Sequence, residues 1–370
     1  MKALRKASVL RKAAVNKSHV RPNAPVVATE VVPVICSWVD SAAGLNNILS
    51  FFNVHYRHNP GDVVVQAKGY LTATNELVLE ISSFSSLIVN VLALQTLLNK
   101  AKELLNSEIE IIQLKIDDCW ARDSGAIFLL NKENKLGGID WEFNGWGKFK
   151  PFDSDNKVAK FMIEKSSATY FKNNMILEGG SIHVDGEGTL LTTEQCLLNK
   201  NRNPQLSKEE IENNLKEYLN INKIIWLKNG TDEGTDGHVD NIACFVKSGT
   251  VLALSCKDRN DPFYEKINEN LEILRTSTDN KGRKLNVIEI EMSYKRLIPN
   301  DDEPSSYINF YIANKGIVMP SFEDEKADYR AKNIVQSVFP DRKIIAINGI
   351  DISMGGGNVH CITQQQPKSL

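Results

Sequence analysis

Two glycine-rich stretches of this chain align on each other without a gap: Glu178-Gly179-Gly180-Ser181-Ile182-His183-Val184 and Gly355-Gly356-Gly357-Asn358-Val359-His360-Cys361. Each follows an apolar residue, Leu177 in the first copy and Met354 in the second. A turn motif that recurs at two distant points restricts the fold strongly, because repeated units stack so that their equivalent turns fall on one face. The chain is expected to repeat a strand-turn-strand unit in pseudo-symmetric blades, with those turns converging on a single site. Glycine runs suit such turns, since they permit positive φ and let a ligand or another segment approach closely. The reactive-looking side chains sit at opposite ends of the two copies, a carboxylate at Glu178 and a thiol at Cys361. Taken alone, Cys361 also reads as a buried, inert cysteine at a strand entry.

Between these motifs, apolar clusters of strand length alternate with helical patterns, which reads as α/β. The spacing predicts a helix within residues 87–106 and an alternating strand over 109–114. Ser207-Lys208-Glu209-Glu210 has the form of a capping box and starts a helix running to Tyr218. Ile224–Leu227 and Val251–Leu254 read as buried strands, and Pro340-Asp341 separates a helix over Ala331–Phe339 from a strand over Lys343–Ile347. With 370 residues, 42% of them hydrophobic, the chain can bury a large core. Residues 31–367 are expected to form one catalytic domain. The longest apolar run, Leu87–Leu94, is short and interrupted by Asn90, so no membrane span is expected. The six cysteines contain no C-x-x-C pair, which favours a reducing, cytoplasmic setting.

The net charge of -2 conceals an asymmetry. Residues 1–29 carry seven basic side chains and no acidic one, leaving 37 basic against 46 acidic groups in the remainder. An acidic body disfavours nucleic acid as a partner and favours a small cation. The basic leader, residues 1–30, reads either as a solvated tail or as an organellar transit peptide, and the sequence leaves both open.

Three further clusters carry chemistry. Asp117-Asp118-Cys119-Trp120-Ala121-Arg122-Asp123 concentrates carboxylates, an aromatic and an arginine, expected to pair with its acidic neighbours, at a strand end. Gly237-His238-Val239-Asp240-Asn241 would place His238 and Asp240 on one face of a strand. Glu178 precedes a glycine pair. Separately these have plain structural readings: a solvated turn, a satisfied histidine, a carboxylate capping amides. Together, Cys361, His238, Asp240, Asp123 and Glu178 suit a guanidinium, whose planar N–H groups pair with carboxylates in forked hydrogen bonds. A thiolate would attack its central carbon, and His238 would protonate the departing ammonia and later deprotonate water. This chemistry calls for no metal and no cofactor. A zinc site built from His183, His238, His360 and Cys361 fits no closed spacing, and on a strand His360 and Cys361 would face opposite ways.

These motifs, with Asp140-Trp141-Glu142-Phe143-Asn144-Gly145-Trp146-Gly147 and Cys196-Leu197-Leu198-Asn199-Lys200-Asn201-Arg202-Asn203-Pro204, occur in an order that resembles the agmatine deiminase family, within the wider guanidino-modifying enzymes. The resemblance covers roughly residues 85–367, and residues 31–85 diverge from it, lacking a Met-Pro-Ala-Glu-Trp-like run. It implies a five-bladed pseudo-symmetric α/β propeller of the pentein type. It also implies hydrolysis of agmatine to N-carbamoylputrescine and ammonia through a covalent Cys-amidino intermediate, in putrescine biosynthesis. In those terms Cys361 is the nucleophile, His238 the general acid/base, Asp123 and Asp240 the guanidinium clamps, and Glu178 a carboxylate orienting substrate and His238. Trp120, Asp117, Glu233 and Gly357 are the expected substrate-binding residues. Deimination of peptidyl or free arginine, and a non-catalytic guanidine- or polyamine-binding role, remain alternatives, and homo-oligomerisation stays open.

Overall fold

The computed structural model of the chain describes residues 31–37, 90–93, 102, 110–297 and 303–367. Among them, sixteen strands form five small mixed sheets, and none closes on itself. β1 (Val31–Ser37), β2 (Asn90–Ala93) and β3 (Glu110–Gln113) lie parallel in that order. The next four sheets repeat one plan, an antiparallel hairpin followed by a helix that returns the chain parallel to the second strand. β4 (Ile127–Leu130) and β5 (Leu136–Glu142) are joined by β6 (Thr169–Ile176). β7 (Ile182–Val184) and β8 (Thr189–Thr193) are joined by β9 (Lys223–Leu227). β10 (Ala243–Lys247) and β11 (Thr250–Ser255) are joined by β12 (Asn286–Glu291), and β13 (Tyr311–Ile312) and β14 (Gly316–Ser321) by β15 (Lys343–Asn348). Last, β16 (Thr363–Pro367) pairs antiparallel with β1, so the final strand completes the first sheet on the same plan.

The middle strand of each hairpin explains why the pattern was readable. β8 and β11 are buried at every position and β14 at all but its last, so their sequences are apolar or hydroxylated throughout. The crossover helices show local signals. α1 (Ala121–Ser124), α2 (Val158–Lys165) and α3 (Glu194–Leu197) precede α4 (Lys208–Leu219). In α4, Ser207 Oγ accepts from the Glu210 amide and the Glu210 carboxylate accepts from the Ser207 amide. α5 (Tyr264–Thr276) and α6 (Glu325–Val338) cross over in the following two sheets, and α7 (Ile350–Ser353) leads into the second glycine-rich copy. The expected strands at 224–227, 251–254 and 343–347 and the helices starting at Ser207 and covering 331–338 are all present.

Two expectations fail here. Within residues 87–106, Asn90–Ala93 is a strand rather than helix, because it lies between β1 and β3 with parallel partners on both sides. A short apolar run has no periodicity that separates strand from helix. Of the rest of that segment only Lys102, in helix, is described; the leader and most of 31–85 lie outside the described residues. His238-Val239-Asp240 is likewise not on a strand: Val239–Asn241 is a turn of 3-10 helix. No described helix is long and apolar enough to cross a membrane.

Candidate active site

Each connection from the last strand of one sheet to the first of the next carries polar groups toward the same place. The β3–β4 connection holds Trp120 and Asp123, β6–β7 holds Glu178 and Gly180, β9–β10 holds His238 and Asp240, β12–β13 holds Asn309, and β15–β16 holds Cys361. The two aligned glycine stretches occupy equivalent connections, β6–β7 and β15–β16. Convergence is direct at Gly180. A methyl group built on its Cα would sit 2.6 Å from Nδ1 of His238, 2.8 Å from Oδ1 of Asp123 and 3.0 Å from Oδ2 of Asp240. Only glycine leaves that space open.

The five residues expected to carry the chemistry are brought together in two linked groups. His238 Nδ1 lies 3.7 Å from Asp123 Oδ1 and Nε2 lies 3.8 Å from Glu178 Oε2. The Cys361 thiol donates to Asp240 Oδ2 at 3.6 Å. Asp123 is held from both sides, its Oδ1 accepting from the Gly180 amide (3.0 Å) and its Oδ2 from Trp146 Nε1 (3.0 Å). None is more than 7% exposed, so charges here act on one another through a medium far less screening than water. Among the described residues, Glu178 Oε2, His238 Nε2 and Asp240 Oδ1 are buried without a hydrogen-bond partner. Such atoms are costly unless a ligand satisfies them.

The electrostatics follow from burial and neighbours. Burial pushes the Asp123 carboxyl up to about 6 against the counter-pull of His238, with Asp240 and Glu178 adding to the rise. Asp240 is raised too, by burial above all. Glu178 behaves oppositely: burial opposes its charge, but Arg202 and His238 outweigh it and hold the carboxyl at about 2. His238 stays protonated well above the usual histidine range, because Asp123 and Glu178 overcome its desolvation. The Cys361 thiol is raised by burial and by the charges of Asp240 and Asp123. The site therefore pairs an imidazolium with a neutral thiol.

Trp120 packs directly beside the thiol: a Cβ on Gly357 would meet its ring at 2.4 Å and the Cys361 Cβ at 3.0 Å. Two expected substrate-binding residues are engaged elsewhere. Asp117 Oδ2 accepts from the Ser154 amide at 2.6 Å, while Asp155 accepts from the amides of Asp117 and Asp118. This exchange clamps the segment leading to Trp120. Glu233 is solvent-exposed, with its backbone tied to Lys148 and Glu303.

Other sequence expectations are corrected by the folding of residues 359–362 as a turn rather than a strand. His360 and Cys361 do not diverge: His360 Nδ1 lies 2.8 Å from the same Asp240 oxygen that the thiol approaches. Arg122 does not pair with neighbouring carboxylates. Its Nη1 donates to Gln364 and Gln365 of β16 (both 2.6 Å), joining the aspartate segment to the cysteine segment. His183 Nδ1 accepts from the Phe245 amide at 3.2 Å and braces β7 against β10.

Four contributors escaped sequence reasoning. Trp146, in the left-handed region at φ 55° between two positive-φ glycines, aims its indole at Asp123. Arg202, fully buried, gives Nε to Glu178 Oε1 (2.6 Å) and its other nitrogens to Trp146 O, Asp236 and Thr235 O. Cys196, Glu178 and His238 place three donor atoms within 4.8 Å of one another, a spacing that a metal ion could bridge, although Arg202 already compensates Glu178. Asn309 contacts the Cys361 sulfur itself. Trp146, Arg202 and Cys196 lie in the quoted motifs, which was the available signal.

The chain matches the model of the Porphyromonas-type peptidyl-arginine deiminase family over residues 53–367. It is 43% identical to an agmatine deiminase of Pseudomonas aeruginosa strain UCBPP-PA14, over 73% of this chain and 80% of that protein. Among solved structures it is similar to the agmatine deiminase of Enterococcus faecalis, with a TM-score of 0.81 and 34% identity over 94% of this chain and 96% of that one. A C. jejuni agmatine deiminase with substrate bound aligns with a TM-score of 0.78 and 27% identity, over 94% and 96% of the two chains. A match of this extent, together with relatives this similar across most of their length, means that the chain belongs to the Porphyromonas-type peptidyl-arginine deiminase family and, within it, to the agmatine deiminases.

Proposed function

We propose that this protein hydrolyses agmatine to N-carbamoylputrescine and ammonia. The observation that carries the reading is the set of buried carboxylates, Asp123, Asp240 and Glu178, around the Cys361 thiol and the His238 imidazolium. Relatives across most of the chain are named agmatine deiminases, which supports this substrate class. The guanidinium lies between Asp123 and Asp240, each accepting charge-assisted hydrogen bonds from its N–H groups. Its positive charge offsets the two carboxylates that keep the Cys361 proton in place, so substrate binding itself favours the thiolate. The Cys361 proton passes to solvent as the cation binds, the sulfur bonds to the guanidinium carbon, and the departing nitrogen takes a proton from His238, breaks its bond to that carbon and leaves as ammonia. The remaining amidino group stays on sulfur. Water, giving a proton to His238, then adds to that carbon, and collapse of the adduct expels the thiolate and frees the carbamoyl product. Trp120 walls the entrance beside Gly357. The product class places the reaction on a route to putrescine.

The five sheets, built on one plan with their connections meeting at one site, are best arranged as the five blades of a pseudo-symmetric propeller comprising a single domain over residues 31–367. The test of function is ammonia and carbamoyl-product release from agmatine, free arginine and a blocked arginyl peptide in parallel. Agmatine turnover is expected; turnover of an arginine compound alone would replace the reading with a sister deiminase, and silence on all three would favour a binding role.

The raised Asp123 carboxyl gives a pH signature. A carboxyl at about 6 rather than its usual 3.8 means that burying its charge costs the folded protein about 3 kcal/mol near neutral pH, and a bound guanidinium relieves that cost. Only the ionised form pairs with the cation. As pH falls through 6, Asp123 takes up a proton and the pair is lost, so KM for agmatine should rise about tenfold between pH 7 and pH 5. Initial rates across that window check it; a flat KM would mean that Asp123 does not hold the guanidinium.

A further inference from the structure

We propose that Glu178, Cys196 and His238 form a binding site for a zinc-class ion, which takes the imidazole nitrogen that the reaction needs and so switches hydrolysis off reversibly. Inhibition, unlike binding, depends on His238 being the proton carrier of the proposed reaction. Among the described residues, these are the metal-ligating side chains that gather three donor atoms within 4.8 Å of one another, and all three are buried. Two of the atoms, Glu178 Oε2 and His238 Nε2, have no hydrogen-bond partner and face each other at 3.8 Å. A tetrahedral ion with bonds of about 2.0–2.3 Å holds its donors about 3.4–3.6 Å apart, so side-chain movements of about 1 Å or less close the site.

The surroundings match what an ion asks of its ligands. A ligating carboxylate is normally hydrogen-bonded itself, and a ligating histidine normally presents its other ring nitrogen to a carboxylate. Glu178 Oε1 accepts from Arg202 Nε at 2.6 Å, which leaves Oε2 for the ion. His238 Nδ1 faces Asp123 Oδ1 at 3.7 Å. Cys196 is set in place by Thr193, whose Oγ1 accepts from the Cys196 amide at 3.2 Å and donates to Gly237 O at 2.7 Å. The thiol is thereby tied to the residue that precedes His238. Hydrolysis uses Glu178 and His238 but has no step for the Cys196 sulfur, and that sulfur is what completes an ion site.

Charge balance permits the ion to enter so buried a place. The ion displaces the thiol proton of Cys196 and the Nε2 proton of His238, both of which pass to solvent. Two protons leave as one dication arrives, so the net charge is unchanged and Arg202 meets no added positive charge. A thiolate, an imidazole and a carboxylate suit zinc, whereas magnesium and calcium take oxygen ligands. With Nε2 on the ion, the imidazole has lost the proton that it gives to the departing nitrogen.

The test titrates the full chain with zinc and with cobalt(II), whose bond to a thiolate gives a near-ultraviolet charge-transfer band. The proteins are wild type, Cys361→Ala, Cys196→Ala and His238→Asn, each checked for folding by thermal melting. The expected result is one ion per chain, with the cobalt band present in wild type and in Cys361→Ala. In Cys196→Ala the band disappears and zinc binds at least about 100-fold more weakly, beyond what losing a merely supporting group costs. A band that vanishes in Cys361→Ala would put the ion on the nucleophile and overturn the proposal, as would failure of the wild type to bind either ion. Unaltered cobalt affinity in His238→Asn overturns it as well, even where Cys196→Ala does not fold. Agmatine hydrolysis by the wild type should fall as zinc fills the site and recover with a chelator, and hydrolysis unchanged at saturating zinc would refute the inhibition. The band needs no turnover: cobalt bound through Cys196 in a protein that never hydrolyses agmatine would sink the function reading and keep the ion site.

Discussion

Replacing Cys361 with Ala is expected to lower agmatine hydrolysis by at least ~10⁴-fold while agmatine still binds. The argument is one of separable roles. Alanine offers no atom that can bond to the guanidinium carbon, and Cys196, the other thiol beside Glu178 and His238, is fully buried, which holds it as the unreactive thiol. Asp123 and Asp240 keep their supports from Gly180, Trp146 and His360, so the cation site persists. The hydrogen bond from the thiol to Asp240 is lost, but His238 and Arg122 still favour its ionised form. Calorimetric titration of the variant with agmatine should therefore give a dissociation constant close to that of the native protein, with no ammonia released. Turnover retained above that level would refute covalent catalysis by Cys361, and loss of binding would mean that the sulfur is part of the cation site.

Arg202→Met should have the largest effect on stability, about 3 kcal/mol, and should also remove activity. Glu178 is completely buried, and its carboxyl is held at about 2 by Arg202 together with His238, against desolvation. A carboxyl depressed from 4.5 to about 2 contributes stability that is present above pH 4.5 and lost as pH falls from there toward 2. Without the guanidinium, Glu178 becomes a buried charge lacking its main partner, a change that costs about 3–5 kcal/mol. It would escape by taking up a proton near neutral pH, and a neutral Glu178 no longer holds the imidazolium of His238. Arg202 also ties Trp146 O, Thr235 O and Asp236 together, so the supports of Asp123 and His238 loosen with it. Thermal unfolding at pH 7 should shift down by roughly 4–6 °C, with the deficit shrinking toward pH 3. An unchanged melting temperature would show that the Glu178–Arg202 pair is not what stabilises this centre.

How much of this was legible depends on the range over which each feature is determined. The helix starting at Ser207 was readable because its cap is a contact between residues three apart. The strand at 251–254 was readable because a strand buried on both faces must be apolar, and the one at 224–227 because its half-buried positions are apolar as well. Residues 90–93 were misjudged because their state is set by β1 and β3, neither adjacent in sequence. The 3-10 turn at Val239–Asn241 was missed for a related reason: two polar residues two apart fit a strand face equally well, and the choice was made by the neighbouring connections. Arg122 looked bound to pair with nearby aspartates, yet its partners, Gln364 and Gln365, come from the far end of the chain.

The candidate site divides the same way. The sequence by itself determined the inventory: a thiol on a glycine turn, one histidine, three carboxylates in ordered motifs, the family they resemble, and an α/β chain of repeated units. Those are properties of residue type and local spacing. Only the tertiary structure decided which groups meet and in what state of charge. It sent Asp117 to cap amides, left Glu233 in solvent, turned His360 onto Asp240, set Arg202 behind Glu178 and brought Asn309 to the sulfur. The physical reason is that hydrogen bonds, burial and the resulting shifts in protonation arise between connections far apart in sequence, and no local pattern encodes the distances that set their strength.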